Sequence, residues 1–77
     1  MPNKNYWYIE GRWHSVAGMT HSPMKVSTDY YDGTRRVYFG PPTTLFGTYW
    51  KARSLAKLEM KREPDLDLRV RRGTVAL

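Results

Sequence analysis

Two His-Ser pairs are the first feature of the sequence that could carry out chemistry. His14-Ser15 and His21-Ser22 each place an imidazole beside a hydroxyl, and these are the groups of a serine nucleophile and its general base. A triad also needs a positioned carboxylate and an oxyanion hole, and the sequence indicates neither. Because His14 is predicted in a strand and His21 in a loop, nothing in the spacing brings them together. We expect both to be surface or structural residues, and we expect no enzyme.

Metal and cofactor chemistry is not indicated either. The sequence contains no cysteine, which excludes disulfides and thiolate zinc sites. Two histidines on separate segments fall short of the three or four ligands that zinc takes. Glu63, Asp65 and Asp67 cluster without the loop spacing of a calcium site, and the scattered glycines form no phosphate-binding loop. We expect no metal, no cofactor and no small-molecule substrate.

The composition directs attention to binding. Thirteen Lys and Arg against seven Asp and Glu give a formal net charge of +6, which favours nucleic-acid phosphates, acidic protein surfaces or anionic lipid as partners. Residues 1–40 carry five of the bases, whereas residues 41–77 carry eight. Eight of the eleven aromatic residues precede residue 40. Charge and aromatic area therefore come from different parts of the chain, and the fold must bring them together.

A hairpin is predicted over residues 24–39. Two alternating runs flank Asp32-Gly33, a dipeptide typical of two-residue type I′ turns. With this turn, Asp29 faces Arg36 and Ser27 faces Tyr38. The predicted core face carries Val26, Thr28, Tyr30, Val37 and Phe39. The predicted open face carries Ser27, Asp29, Tyr31, Thr34, Arg36 and Tyr38.

The other elements are read from periodicity and from residues that end helices and strands. A helix is predicted over residues 48–62, with Thr48 as its N-cap and Glu63-Pro64 ending it. Residues 45–46 are expected to tuck beneath it. Leu66 to Arg71 alternates as a half-buried strand, and Arg72-Gly73 is expected to turn the chain. Residues 6–16 form either one bulged strand or two short strands.

These elements predict a small two-layer α+β domain. An antiparallel sheet of three to five strands carries one helix, residues 48–62, on one face, in the order β(β)ββ-α-β. The whole chain, residues 1–77, is expected to be one domain with loose ends at 1–5 and 73–77, and the strand order stays open. No secretory signal and no apolar stretch of roughly 18–20 residues is present, so we expect a complete cytoplasmic gene product. A core this small is marginal, which leaves a homodimer open.

Two basic surfaces follow from the predicted fold. The open sheet face is expected to combine aromatic rings with guanidinium groups, which stack bases and hold phosphates in single-strand binding modules. Its residues are Tyr31, Arg36, Tyr38, Arg69 and Arg71, extended by Arg35 and Arg72. The helix exterior is expected to form a cationic ridge that can follow a phosphate backbone. Its residues are Lys51, Lys57, Lys61 and Arg62.

The sequence therefore predicts a non-catalytic binding protein for nucleic acid or a nucleoprotein. The alternative is a protein partner with an acidic surface, because Tyr, Trp and Arg are also enriched at protein interfaces. A short, cysteine-free chain with no chemistry is typical of phage accessory proteins that inhibit a host polymerase or a CRISPR effector, and such a protein acts in the host cytoplasm. Neither alternative involves a membrane.

Overall fold

One sheet and one helix make up the part of the chain that the structure describes. The computed structural model describes residues 3–76. Its elements in chain order are β1 (Asn3–Trp13), β2 (Ser22–Thr28), β3 (Arg35–Phe39), α1 (Tyr49–Arg62) and β4 (Leu66–Ala76). The four strands form an antiparallel sheet in the order β3-β2-β1-β4, and α1 packs on one face of it. The predicted α+β class, with strands and helix in the order β-β-β-α-β, is confirmed.

The ladder between β1 and β4 is the longest in the sheet. It runs without interruption from the pair of Asn3 and Ala76 to the pair of Trp13 and Leu66. The N-terminal aromatic run is therefore one strand, but it pairs with β4 without the predicted bulge and ends at Trp13 instead of residue 16. The expected loose ends are wrong within the described residues, because residues 3–5 pair with residues 74–76. Residues 1, 2 and 77 lie outside the described residues.

Gly73 does not turn the chain, in contrast to the prediction. β4 continues through it, and its register partner is Tyr6. The Tyr6 ring lies where a side chain at residue 73 would stand, so the glycine makes room for an aromatic ring across the strand pair. An aromatic residue covering a glycine on a neighbouring strand is a known way of stabilising a sheet edge.

The β2–β3 hairpin has a different register from the predicted one. Val26 pairs with Val37 and Thr28 with Arg35. A two-residue turn at Asp32-Gly33 would have paired Val26 with Phe39, so the register is shifted by two residues. A shift of two residues keeps each side chain's direction, because strand side chains alternate with a period of two. Val37 is accordingly buried. The expected pair of Asp29 and Arg36 does not form, since Ser27 stands opposite Arg36.

Asp29 is the physical reason for the longer loop. Its carboxylate accepts the backbone N–H groups of Tyr31 at 2.8 Å and Asp32 at 3.2 Å. Gly33 has a positive φ of 73°, and its N–H donates to the Asp29 carbonyl at 3.0 Å. Asp residues often organise turns through such local bonds. Tyr30 and Tyr31 are therefore in the loop instead of on the strands.

The helix follows its prediction closely. α1 begins after Thr48, whose hydroxyl accepts the N–H of Lys51 at 3.4 Å, and it ends at Arg62. Phe46 is buried, and its backbone exchanges two hydrogen bonds with Trp7. Leu45 is 57% exposed, so the expectation that it tucks under the helix is wrong. The core between helix and sheet comprises Ile9, Met24, Val37, Phe46, Ala52, Ala56, Leu66 and Leu68.

Candidate nucleic-acid interface

The sheet face opposite α1 carries ion pairs between β1 and β4. Glu10 stands opposite Arg69 in the register, and its Oε1 accepts from Arg69 Nε at 2.9 Å. Arg71 Nε lies 3.7 Å from the same oxygen. The next pair along the strands joins Arg12 Nε to Asp67 Oδ2 at 2.9 Å. Bases and acids therefore alternate along this face, and the two predicted interface arginines share the single carboxylate of Glu10.

Arg36 leaves the open face on which it was predicted. Its Nε donates to both carboxylate oxygens of Glu59 on α1, at 3.0 and 3.1 Å, and its Nη2 lies 3.8 Å from Glu63. The hydrogen bond to Glu59, followed by the charge of that carboxylate, raises the pKa of Arg36 above its ordinary value. The expectation of Arg36 as an open-face residue is therefore corrected, since its guanidinium is occupied by the helix.

Glu59 was not among the predicted site residues. It is the one acid within α1 and is only 2% exposed. Arg62 Nη1 lies 3.8 Å from its Oε2, so two guanidinium groups compensate the buried carboxylate. The spacing could have identified it, because residue 59 falls on the same side of the helix as Ala52 and Ala56 at about 3.6 residues per turn.

The exterior of α1 keeps its positive charge. The helix contains five bases, and its single acid is buried against the sheet. Lys51, Lys57 and Lys61 are exposed, and none of them takes part in an ion pair within residues 3–76. Three residues of the predicted cationic ridge are thus exposed and outside the ion pairs of the described residues, whereas the fourth, Arg62, lies 3.8 Å from Glu59.

Trp50 adds an aromatic ring to this helix surface. It is 67% exposed, with the Arg53 guanidinium carbon 5.5 Å from its ring centroid. The Tyr49 ring meets it edge-on at 5.5 Å. Trp50 was not among the predicted site residues, although its position opposite Ala52 on the helix indicates an exposed side chain.

A shallow, open depression, the β3 groove, lies between α1 and β3 beside Trp50. It is lined by Arg35, Trp50, Lys51, Ser54, Leu55 and Leu58. Arg35 comes from β3, and its guanidinium carbon lies 6.0 Å from the Phe46 ring centroid. This residue was predicted to extend the sheet patch, and it lies instead on the helix side of the sheet. The groove thus has basic residues on both walls and an aromatic ring beside them.

The hairpin loop presents a second aromatic surface. Tyr30 and Tyr31 are 92% and 93% exposed, and their rings meet edge-on at 5.4 Å. Tyr31 and Tyr38 line one depression together with Lys25. The predicted site residues are therefore divided among three places. They are the hairpin (Tyr31, Tyr38), the open face of β4 (Arg69, Arg71) and the α1 side of the sheet (Arg35, Arg36, Arg72, Lys51, Lys57, Lys61). The predicted place of Arg72 on the open face is wrong, because Arg72 stands opposite Trp7, which packs against the core.

The histidines gather near Asp67. His21 Nε2 lies 3.1 Å from Asp67 Oδ2. Burial opposes ionisation of Asp67, but the hydrogen bond from Arg12 and the charges of His21, His14 and Arg12 outweigh it, so the pKa of Asp67 lies below its usual range. Both histidines therefore act on one carboxylate, although the sequence spacing gave no reason to expect it.

The remaining polar contacts here are structural. Ser15 donates its N–H and its hydroxyl to Asp65, at 3.0 and 2.6 Å, which ties the loop after β1 to the turn before β4. The hydroxyl thus bonds a carboxylate instead of an imidazole, which differs from a nucleophile and its base. Among residues 3–76, no group of three or more histidines and acids is arranged to hold a metal ion.

Comparison of the chain with protein-family models, with curated proteins and with solved structures finds no match. No helix within residues 3–76 has both the length and the apolar character needed to cross a membrane.

Proposed function

We propose that this protein is a small, non-catalytic nucleic-acid-binding protein whose contact surface is the exterior of α1 with the adjoining β3 groove. The observation that carries the proposal is the charge of α1, which exposes Lys51, Lys57 and Lys61 while its one acid is buried. A run of exposed bases without acids attracts a polyanion and releases its counterions. We propose further that it acts in the cytoplasm.

The helix exterior is a better phosphate-binding surface than the open sheet face. A phosphate approaching Arg69 or Arg71 also meets Glu10, whose carboxylate lies within 3.7 Å of both guanidinium groups. The phosphate and the Glu10 carboxylate are both negative and repel each other. Binding at Arg69 or Arg71 therefore requires that their ion pairs with Glu10 be broken. Lys57 and Lys61 need no such exchange, so their full charge is available to a ligand.

A protein partner remains a second candidate because the same surface exposes apolar side chains. Trp50 is 67% and Leu58 45% exposed, and Trp beside basic residues is typical of interface hot spots. An inhibitor or adaptor of this kind would retain a stoichiometric partner from a lysate treated with nuclease and washed at high salt. Trp50→Ala would then release that partner, whereas a nucleic-acid-binding protein would retain nothing under these conditions.

Salt-dependent titration of labelled single-stranded and duplex oligonucleotides tests the proposed function. We expect binding at low salt, with log K falling linearly against log salt by about 0.7 for each phosphate contacted on a single strand. Lys57→Gln with Lys61→Gln should reduce this slope by about 1.4, because two contacts are lost. Lys4→Gln with Lys25→Gln is the matched control, since it removes the same charge from other surfaces.

Two results would contradict the proposal in different ways. Absence of binding at low salt would exclude nucleic acid as the ligand. Equal slopes for the two double variants would show that net charge attracts the ligand without any contact on α1. A circular dichroism spectrum like that of the unchanged protein is the required control for both variants.

A further inference from the structure

Trp50 is an exposed aromatic side chain on α1 that two neighbouring side chains of the same helix contact. Arg53 lies over its ring, and Arg53 also lines the depression on the opposite flank of α1, beside β4. The Tyr49 ring, which meets Trp50 at 5.5 Å, lines the same depression beside β4, whereas Trp50 itself lines the β3 groove. Trp50 is 67% exposed and is not part of the core, so its indole is accessible to a ligand in the groove.

The groove offers three kinds of contact that can bind a nucleotide. Trp50 supplies a flat ring for a base, Leu55 and Leu58 supply apolar contacts, and Lys51 and Arg35 supply positive charge on α1 and β3. None of the lining residues is acidic, so the groove is complementary to a phosphate on either wall. Base–aromatic stacking beside a basic groove is the general mode of binding single strands.

We infer that this groove binds single-stranded nucleic acid by stacking a base on Trp50, an inference that rests on the function proposed above. In a duplex the bases are stacked on one another and unavailable to a protein ring, whereas a single strand can turn one out. The ring therefore adds affinity for single strands alone. The lysines of α1 bind the phosphates of either form.

Trp50→Ala tests the stacking contact with a labelled oligothymidylate and a duplex of the same length. Trp50 is exposed on a helix, so its removal leaves the core unchanged. We expect affinity for the oligothymidylate to fall by about 5- to 150-fold, the range for loss of one stacked base. Affinity for the duplex should be unchanged, and Trp50→Phe should retain most single-strand affinity because it keeps an aromatic ring.

Salt dependence separates this inference from the proposed function. Trp50→Ala removes no charge, so the salt slope should match that of the unchanged protein, whereas Lys57→Gln with Lys61→Gln should reduce it for both ligands. The stacking inference would be overturned if Trp50→Ala kept its affinity for the oligothymidylate, or if it lost affinity equally for the oligothymidylate and the duplex. Salt-dependent binding by the unchanged protein would still support the proposed function in both cases. If neither the oligothymidylate nor the duplex bound to the unchanged protein, the stacking inference and the proposed function would both be overturned.

A competing polymer distinguishes nucleic acid from an acidic protein in the same groove. A copolymer of glutamate and tyrosine carries negative charge and aromatic rings without the nucleotide backbone. We expect it to displace the oligothymidylate only weakly. Displacement at equal concentration of negative charge would show that the groove accepts an acidic polypeptide, and would overturn the assignment to single-stranded nucleic acid.

Discussion

Arg36 Nε donates to both carboxylate oxygens of Glu59, at 3.0 and 3.1 Å, and joins the edge strand β3 to α1. The contact has two consequences. It compensates a carboxylate that is only 2% exposed, and it allows this carboxylate, the one acid of α1, to stay on the inward side of the helix, so that no acidic side chain lies on the helix exterior. The same pair therefore stabilises the fold and determines the charge of the proposed binding surface.

Removal of Arg36 should destabilise the protein more than removal of Glu59. Arg36→Met leaves a buried carboxylate with only Arg62 at 3.8 Å, and an uncompensated buried charge of this kind costs several kcal/mol. Glu59→Met leaves Arg36, which is partly exposed and can be hydrated. The double variant should be more stable than Arg36→Met alone. Urea denaturation followed by tryptophan fluorescence gives the free energy of unfolding of the two single variants and the double variant. A loss in the double variant equal to the sum of the two single losses would contradict the pairing.

The stability of the fold should depend on pH through Asp67. Its pKa is lower in the folded protein than its ordinary value, because Arg12, His21 and His14 favour the charged form. Such a group stabilises the fold above its unfolded-state pKa of about 3.9, and the contribution is lost as pH falls through the lower folded-state value.

Comparison with Asp67→Asn isolates this contribution. We expect the unchanged protein to be more stable near neutral pH by on the order of 1 kcal/mol, and the difference to vanish at acid pH below both pKa values. Urea denaturation at a series of pH values measures it. A difference that stays constant down to strongly acid pH would mean that the ionised carboxylate contributes nothing to the stability.

Two glycines should respond differently to alanine. A Cβ at Gly11 would lie 2.5 Å from Leu68 Cδ2 and 3.1 Å from Met24 Sδ, and both side chains are buried in the core. Gly11→Ala should therefore destabilise the fold by about 1–3 kcal/mol through overpacking. A Cβ at Gly73 meets the end of the Tyr6 side chain, which can rotate toward solvent. Thermal denaturation should show a smaller loss for Gly73→Ala, and an equal or larger loss would contradict this account.

The elements of the fold could be predicted from sequence because their signals are local. Thr48 and Pro64 bracket the helix, and alternation identifies the strands whatever their partners are. The hairpin register could not be predicted in the same way. Asp32-Gly33 favours a two-residue turn, but the carboxylate of Asp29 bonds two loop N–H groups and lengthens the loop.

The site was less predictable because it depends on contacts between distant segments. The lysines of α1 were identified, since an amphipathic helix places them outside by periodicity alone. The compensation of Arg69 by Glu10 required the β1–β4 register, which joins residues 59 positions apart. The departure of Arg36 from the open face required knowledge that β3 is an edge strand beside α1.

The most direct test of the central claim is an NMR titration of isotope-labelled protein with unlabelled oligothymidylate. We expect the backbone amide shifts to change along the exterior of α1, residues 50–61, and at Arg35 across the groove, while residues of the β1–β4 face keep their positions. Shift changes centred on Arg69 and Arg71, or no change at low salt, would contradict the account.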